Sequence, residues 1–246
     1  MRLFSCGCAC GYGSSFAAFA AAEAGGASAP TPKSGGPVPR SVLEDLAAAS
    51  RILADQGVVD GFGHVTMRHP NEPERFFMSR SLAPALVTAD DIMEFTLDSV
   101  ACEDKGRAGF LERFIHGQIF KARPDVMSVV HSHSPSVIPF SLVSTPMRAM
   151  FHNAAFLSEG VPVFDIAQDF GATDMLVGNN DKGVALAKCL AHHPVVLMRA
   201  HGSVAVGPSL PMAVFRAVYT EVNARVQTAA IMVGGGGPIA GLNAQE

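Results

Sequence analysis

Charge is scarce in this chain. Of its 246 residues only 16% are Asp, Glu, Lys or Arg, against ~25% in an average soluble domain. A surface so poor in charge implies that part of it is hidden between subunits, so an oligomer is expected. Basic residues are in deficit too. The 18 Lys and Arg stand against 22 Asp and Glu, for a formal net charge of -4. With no cationic surplus the chain cannot neutralise the phosphates of a nucleic acid. No apolar run reaches the ~18 residues of a spanning helix, which argues against an integral membrane protein. Cysteine provides no framework either. Cys6, Cys8, Cys10, Cys102 and Cys189 are odd in number, and three crowd one end, a pattern unsuited to a disulfide scaffold. Cys6-x-Cys8-x-Cys10 could bind a soft metal. It lacks a fourth ligand and is flanked by Gly, Ser and Ala, so a loose tail is the preferred reading. The chain does have apolar mass, 48%, enough for a continuous core and too much for disorder over most of its length.

Residues 1–37 are low-complexity, dominated by Ala, Gly, Ser and Pro, and are expected to be a disordered extension. The alternative is an export signal, with Arg2, an apolar stretch to about Ala22 and small residues at Ala27-Ser28-Ala29. The ordered domain is expected over 38–235, followed by a tail at 236–246. Ser41 to Glu44 has the form of a capping box. Val42, Leu46, Ala49 and Leu53 then recur at helical spacing, and Gly57 supplies a stop. Strand patterns follow at Val58 to Arg68 and Phe76 to Met78, and Thr88 to Asp91 has the form of a helix start or tight turn. A helix is expected over Glu112 to Ala122, a strand over Val126 to His133, and an edge strand at Val161 to Phe164, because Pro162 has no N–H for a central ladder. Asp181 is expected to cap a helix ending near His192. Val195 to Met198 and Ser203 to Val206 suggest an antiparallel hairpin around His201-Gly202. From Pro211 a long helix carries Phe215, Tyr219, Val222, Val226, Ala230 and Val233 as an apolar stripe, ended by the glycines 234–237. There is no internal repeat. The pattern predicts an α/β domain with a mixed or antiparallel central sheet flanked by helices.

The histidines carry the chemistry. Alternate strand residues share a face, so His131 and His133 point the same way, about 7 Å apart along the strand. Two imidazoles so placed can converge on one ion with bonds near ~2.1 Å, or they are ordinary polar residues at a strand end. His201, between a buried strand and a glycine turn, can be aimed into a cleft by its loop. Three imidazoles leave an open coordination position, as a catalytic metal site requires. Glu112 is the obvious carboxylate. It opens the helix before the His131 strand, where the helix N-terminus favours its ionised form.

Together these residues resemble the class II aldolase/adducin family. Glu112 precedes His131 by 19 residues, Ile119 to Asp125 link helix to strand, Val129-Val130-His131-Ser132-His133-Ser134-Pro135 follows, and His201-Gly202 comes after an apolar strand. The resemblance covers about residues 41–233. It implies a class II aldolase-like fold, with His131, His133 and His201 as ligands of one divalent ion. Zinc is expected first, with manganese, magnesium, cobalt or iron as alternatives. It makes Glu112 the proton-transfer group, and it implies a fourfold homotetramer with the active site at a subunit boundary.

Departures from the phosphosugar aldolases indicate the branch. Gly63-His64 stands where they carry Gly-Asn, Ser81-Leu82 where they carry Thr-Gly or Ser-Gly, and Phe110-Leu111 where they carry Ser-Ser. Those small polar groups cradle a phosphate, so a sugar phosphate is not expected. Arg80 and His64 suit a carboxylate instead, Arg80 through its bidentate fork, unless Arg80 makes an ordinary surface ion pair. Ser79 and Ser81 flank it. Gly61 to Thr66, Met78 to Ser81 and Leu111 to Gly117 are similar to the decarboxylase branch. That branch acts on 2-hydroxy-3-carboxy-dienoate ring-fission products or dihydroxyphthalates in aromatic catabolism. There a divalent ion acts as Lewis acid on a substrate oxygen, loss of CO2 leaves an enolate, and Glu112, His64 or a bound water returns the proton.

His152 lies where the family often places a histidine near the site. His116, one turn from Glu112, is either a supporting residue or solvent-facing. Tyr219 is read first as core packing and second as a proton donor at a subunit boundary. His69, His192 and His193 are assigned to loops. The expected activity is therefore a metal-dependent carbon–carbon lyase, a decarboxylase of a small carboxylate substrate, in the cytoplasm, or in the periplasm if residues 1–37 are an export signal. The rivals are an aldolase acting on a non-phosphorylated hydroxy acid or aldehyde, and an adducin-like module without catalysis.

Overall fold

The computed structural model describes residues 30–103, 105–243 and 245–246. The three clustered cysteines and the export-signal segment lie outside them. Residues Thr31–Glu246 form one compact unit. Its first helix, α1 (Arg40–Asp55), starts one residue before the expected cap, with Pro39 at the cap position. The Ser41–Glu44 box does not form, because Arg40 Nε engages Glu44 at 3.2 Å. A capping box closes instead at Thr88, where Asp91 completes it around a short 3-10 turn. Gly57, at φ 69°, ends the α1 region in a conformation that glycine reaches without strain.

The strands are β1 (His64–Arg68), β2 (Arg75–Ser79), β3 (Ile92–Thr96), β4 (Ser128–Ser132), β5 (Val163–Phe164), β6 (Val195–Met198) and β7 (Gly202–Gly207). The helices after α1 are α2 (Arg113–Ala122), α3 (Ile166–Phe170), α4 (Asn180–Leu190) and α5 (Leu210–Val233). The strand pattern expected from Val58 therefore holds only from His64, and residues 58–63 form a loop. All seven strands join one sheet in the order β3-β2-β1-β4-β7-β6-β5. Every pairing is antiparallel except β5 with β6. β5 is at the edge, as Pro162 requires, and the Pro162 carbonyl accepts from the Leu197 N–H at 2.9 Å. The helix at α4 is capped by Asn179, whose side chain accepts from the Lys182 N–H, and not by Asp181.

Alternation along the strands separates two cores. Val65, Val130 and Ala205 face α1 and α5, with Leu46, Leu53 and Ala217 among their neighbours. Val129, Val204 and Val206 face α2 and α4, with Ile115, Ile119 and Leu186. Arg68 ties β1 to the end of α2. Its buried guanidinium donates to the carbonyls of Phe120, Arg123, Val126 and Pro73 and lies 4.8 Å from the Phe120 ring centroid.

The stripe read along α5 is its outer side. Phe215, Val226 and Val233 are 38%, 39% and 90% exposed. The helix packs through Ala213, Ala217, Thr220, Asn223, Ala224 and Gln227. The polar members are buried because they replace a strand partner. Asn223 accepts from the Met150 N–H and donates to the Arg148 carbonyl. Gln227 accepts from the Arg148 N–H and donates to the Pro146 carbonyl. At the two ends, the Ser34 hydroxyl and the Gly35 N–H donate to Glu94, and the Leu242 N–H donates to the Ala149 carbonyl.

Candidate metal centre

His131 occupies the middle of the sheet, paired with His64 on β1 and Val204 on β7. Its side chain shares the face of Val129, toward α2. His133 follows two residues later, just past the strand end. His201 sits in the tight turn joining β6 to β7. Ala200 in that turn takes φ 56°, and its N–H is held by the Ser141 hydroxyl at 3.0 Å. Gly202 permits the approach of β7 to β4, since a Cβ there would collide with the Ser132 carbonyl oxygen. Glu112 occupies the cap position of α2.

These placements bring four donors together. His133 Nε2 lies 3.0 Å from His131 Nε2 and 3.2 Å from His201 Nε2. Glu112 Oε2 lies 3.4 Å from His131 Nε2 and 3.3 Å from His201 Nε2. Two ligands at ~2.1 Å from one ion and at a tetrahedral angle stand roughly 3.4 Å apart. The tautomers agree with that arrangement. His131 Nδ1 faces the Ser203 carbonyl and His201 Nδ1 the Met175 carbonyl, both at 3.1 Å. A carbonyl only accepts, so each Nδ1 carries the proton and each Nε2 turns a lone pair inward. Lone pairs facing one another at 3 Å repel, and a shared cation removes the repulsion. Glu112, His131, His133 and His201 thus form a donor set that fits a divalent metal.

Electrostatics point the same way. Burial works to raise the Glu112 carboxyl, but His131 and His201 beside it hold it well below the usual carboxylate range. Its other oxygen accepts from the Val177 N–H at 2.9 Å. Burial, with His131 and His201 nearby, pushes His133 down to about 4. Burial would lower His201 as well, yet the Glu112 carboxylate beside it prevails and raises it. Asp60 Oδ1 stands 3.6 Å from His133 Nδ1 and accepts from the Phe62 and Gly63 N–H groups.

His64 is buried beside the cluster, its ring centroid 5.1 Å from that of His131. His116 is buried too, not solvent-facing, with Nε2 2.7 Å from His64 Nδ1 and Nδ1 2.7 Å from the Thr66 hydroxyl. Burial, and each other's proximity for His64, keep both well below the ordinary histidine value. Burial thus works against a charge on His64, which does not suit the carboxylate-binding role expected from the sequence. Arg80 is engaged by Asp91, Nε to Oδ1 at 2.8 Å, and is part-exposed. That is the surface ion pair. Ser79 is buried at the end of β2 opposite Ile92, and Ser81 is exposed, its N–H donating to the Ala108 carbonyl. His152 and Tyr219 lie away from the four donors within this chain, grouped around Phe151 at 5.9 and 6.1 Å between ring centroids. The Tyr219 ring also lies against Phe215, tilted by 44° at 4.5 Å between centroids.

His69 is a turn anchor. Its Nδ1 accepts from the Asn71 and Glu72 N–H groups, and Nε2 faces the Gly36 carbonyl. Sequence reasoning missed Asp60, Thr66 and the Val177 N–H. The only available signal was Asp60-Gly-x-Gly immediately before His64. A concavity of about 740 Å³ between α1 and the start of α5 contains none of the four donors.

Residues 44–228 match the family model of the class II aldolase and adducin N-terminal domain. The chain is 37% identical over 224 residues to decarboxylase tropJ of Talaromyces stipitatus, covering 83% of this chain and 84% of that protein. It is 28% identical to 3,4-dihydroxyphthalate decarboxylase of Arthrobacter keyseri, covering 78% and 79%. The structure of L-fuculose 1-phosphate aldolase from Glaciozyma antarctica superimposes with a TM-score of 0.68 at 26% identity, covering 82% of this chain and 77% of that one. The chain belongs to the class II aldolase and adducin family.

Proposed function

We propose that this protein is a metal-dependent carboxy-lyase acting on a small hydroxy-substituted carboxylate, either a dihydroxy aromatic acid or a hydroxy-carboxy-dienoate from aromatic catabolism. The observation that carries the reading is the convergence of three imidazole Nε2 atoms and Glu112 Oε2 on one point. A divalent cation held there, with zinc as our first choice, supplies Lewis acidity to a substrate oxygen. His131, His133 and His201 hold it, and their Nδ1–H groups and carbonyl partners fix the ring orientations. Glu112, ionised and pinned through Oε1 by Val177, aims Oε2 at the same centre, and with substrate bound there Oε2 would take and return a proton at the carbon that loses CO2. Phe110 and Leu111 stand where phosphosugar aldolases carry a serine pair, and the buried, uncharged His64 offers no cation to a phosphate.

The resemblance to two named decarboxylases supports decarboxylation over retro-aldol cleavage. The intact donor set speaks against a non-catalytic adducin-like module, which has no use for it. We further propose a homotetramer in which His152 and Tyr219 serve the neighbouring subunit's centre. We place the enzyme in the cytoplasm, where its described cysteines, Cys102 and Cys189, are free thiols in keeping with a reducing compartment.

The test is CO2 release across ring-cleavage products and dihydroxybenzoates, with and without chelator, alongside metal analysis. Chelator-sensitive CO2 release is expected. An aldehyde or pyruvate without CO2 would move the reading to an aldolase, and a protein that takes up no metal under any condition would move it to the module.

A further inference from the structure

His64 and His116 are buried beside the metal centre, yet neither belongs to its donor set. They form a hydrogen-bond chain whose direction is set at its far end. The Val129 carbonyl there can only accept, and the Thr66 hydroxyl donates to it at 3.3 Å. The hydroxyl oxygen is then left to accept from His116 Nδ1 at 2.7 Å. With its proton on Nδ1, His116 offers a lone pair at Nε2, which accepts from His64 Nδ1–H at 2.7 Å. Among the described residues no carboxylate hydrogen-bonds to any member of this hydrogen-bond chain.

One ring nitrogen of the pair has no partner among the described residues, His64 Nε2. It is not among the sealed unpartnered polar atoms, and His64 keeps 4% of its surface accessible. The ring stands against Phe110 at 4.6 Å on one side and against the ligand His131 on another. This histidine therefore presents its single unused nitrogen at the edge of the metal centre.

We propose that His116 is a positioning residue: backed by Thr66 and the Val129 carbonyl, it holds the Nδ1 proton of His64, so that His64 offers Nε2 to the substrate as an acceptor for a hydroxyl group. The inference deepens the decarboxylase reading and rests on it for the substrate, which must carry a hydroxyl next to the carboxylate that leaves. A phosphate or carboxylate oxygen has no proton to give at this position. A neutral phenol or enol does. The device selects hydroxy acids by what they donate, and an O-methylated analogue of the same shape leaves the acceptor unpaired.

The experiment uses the full chain loaded with zinc and labelled with nitrogen-15 at histidine. Long-range proton–nitrogen spectra are expected to show His64 protonated on Nδ1 and bare on Nε2. In His116→Phe, that form should no longer dominate while zinc content stays unchanged. The kcat/KM for an ortho-hydroxy acid should fall roughly 10–100-fold, and its preference over the O-methyl analogue should shrink with it. In His116→Gln the side-chain oxygen can still accept from Nδ1–H, so the wild-type spectrum and part of the rate should return. Wild-type His64 with its proton on Nε2, or His116→Phe with unaltered tautomer and selectivity, would overturn the proposal. A wild-type enzyme that releases no CO2 from any hydroxy acid would instead sink the decarboxylase reading, and the spectrum would still decide the orientation of His64.

Discussion

Glu112 and His133 reach the same point in space but differ in what their loss should do. His133 Nε2 is the donor shared by both short nitrogen–nitrogen contacts, 3.0 and 3.2 Å, and its side chain is 22% exposed. His133→Ala should therefore leave the fold intact. It should also weaken metal binding well beyond the roughly 10–100-fold typical of losing a supporting partner. Metal analysis and circular dichroism check this, and bound metal with full turnover in the variant would refute the assignment. Glu112→Gln keeps an oxygen for the Val177 N–H and removes only the charge. Metal content should persist while kcat drops roughly 10²–10⁴-fold, and an unchanged kcat would remove the proton-transfer role. The pairing of His131 with His133 was legible in the sequence because a strand alternates with period two and His131-x-His133 states that period outright. Asp60, Thr66 and Val177 were not. Their roles come from residues tens of positions apart that meet only when β1, α2 and the loop before α4 pack together.

Elements were read best where one local rule decides the outcome. Pro162 placed β5 at the edge, and the apolar pairs around His201-Gly202 gave the β6–β7 hairpin. Reading failed where partners from elsewhere decide. Ser41 has the residue type of a cap, but Arg40 takes Glu44 first. On α5 hydropathy pointed to the wrong face, because Asn223 and Gln227 are buried to satisfy the backbone of residues 146–150. The joint between β4 and β7 is the element most exposed to a single change. Gly202 sits against the Ser132 carbonyl with no room for a methyl group, and β4 ends just before His133 while β7 begins just after His201. Gly202→Ala should force them apart, at a cost of ~1–3 kcal/mol or more. Because the same shift separates the ligands, metal affinity should fall with stability. Urea unfolding and metal titration measure both, and a variant that loses stability while keeping wild-type affinity would show that the joint and the centre are independent.

At the scale of the molecule, the shortage of charge noted in the sequence reappears as apolar surface. Phe62, Leu142, Val143, Met232 and Val233 are all more than half exposed. The groove between α1 and α5 is lined by Ile52, Val214 and Phe215 among other apolar side chains. Patches of this kind mark contact surfaces, and the homotetramer proposed above would cover them with a second copy of the chain. Phe215 is the informative position. It stands at the rim of the groove, 38% exposed, and packs against Tyr219, a residue proposed to act across a subunit boundary. Sedimentation velocity should show the wild type as a tetramer and Phe215→Asp as smaller species, since each interface would then have to desolvate a carboxylate. If the centre is completed across that boundary, dilution of the variant should cost turnover per chain while zinc stays bound, because His131, His133 and His201 come from one chain. A wild type that sediments as a monomer at full activity would confine catalysis to Glu112, the three histidines and His64, and return Tyr219 to packing.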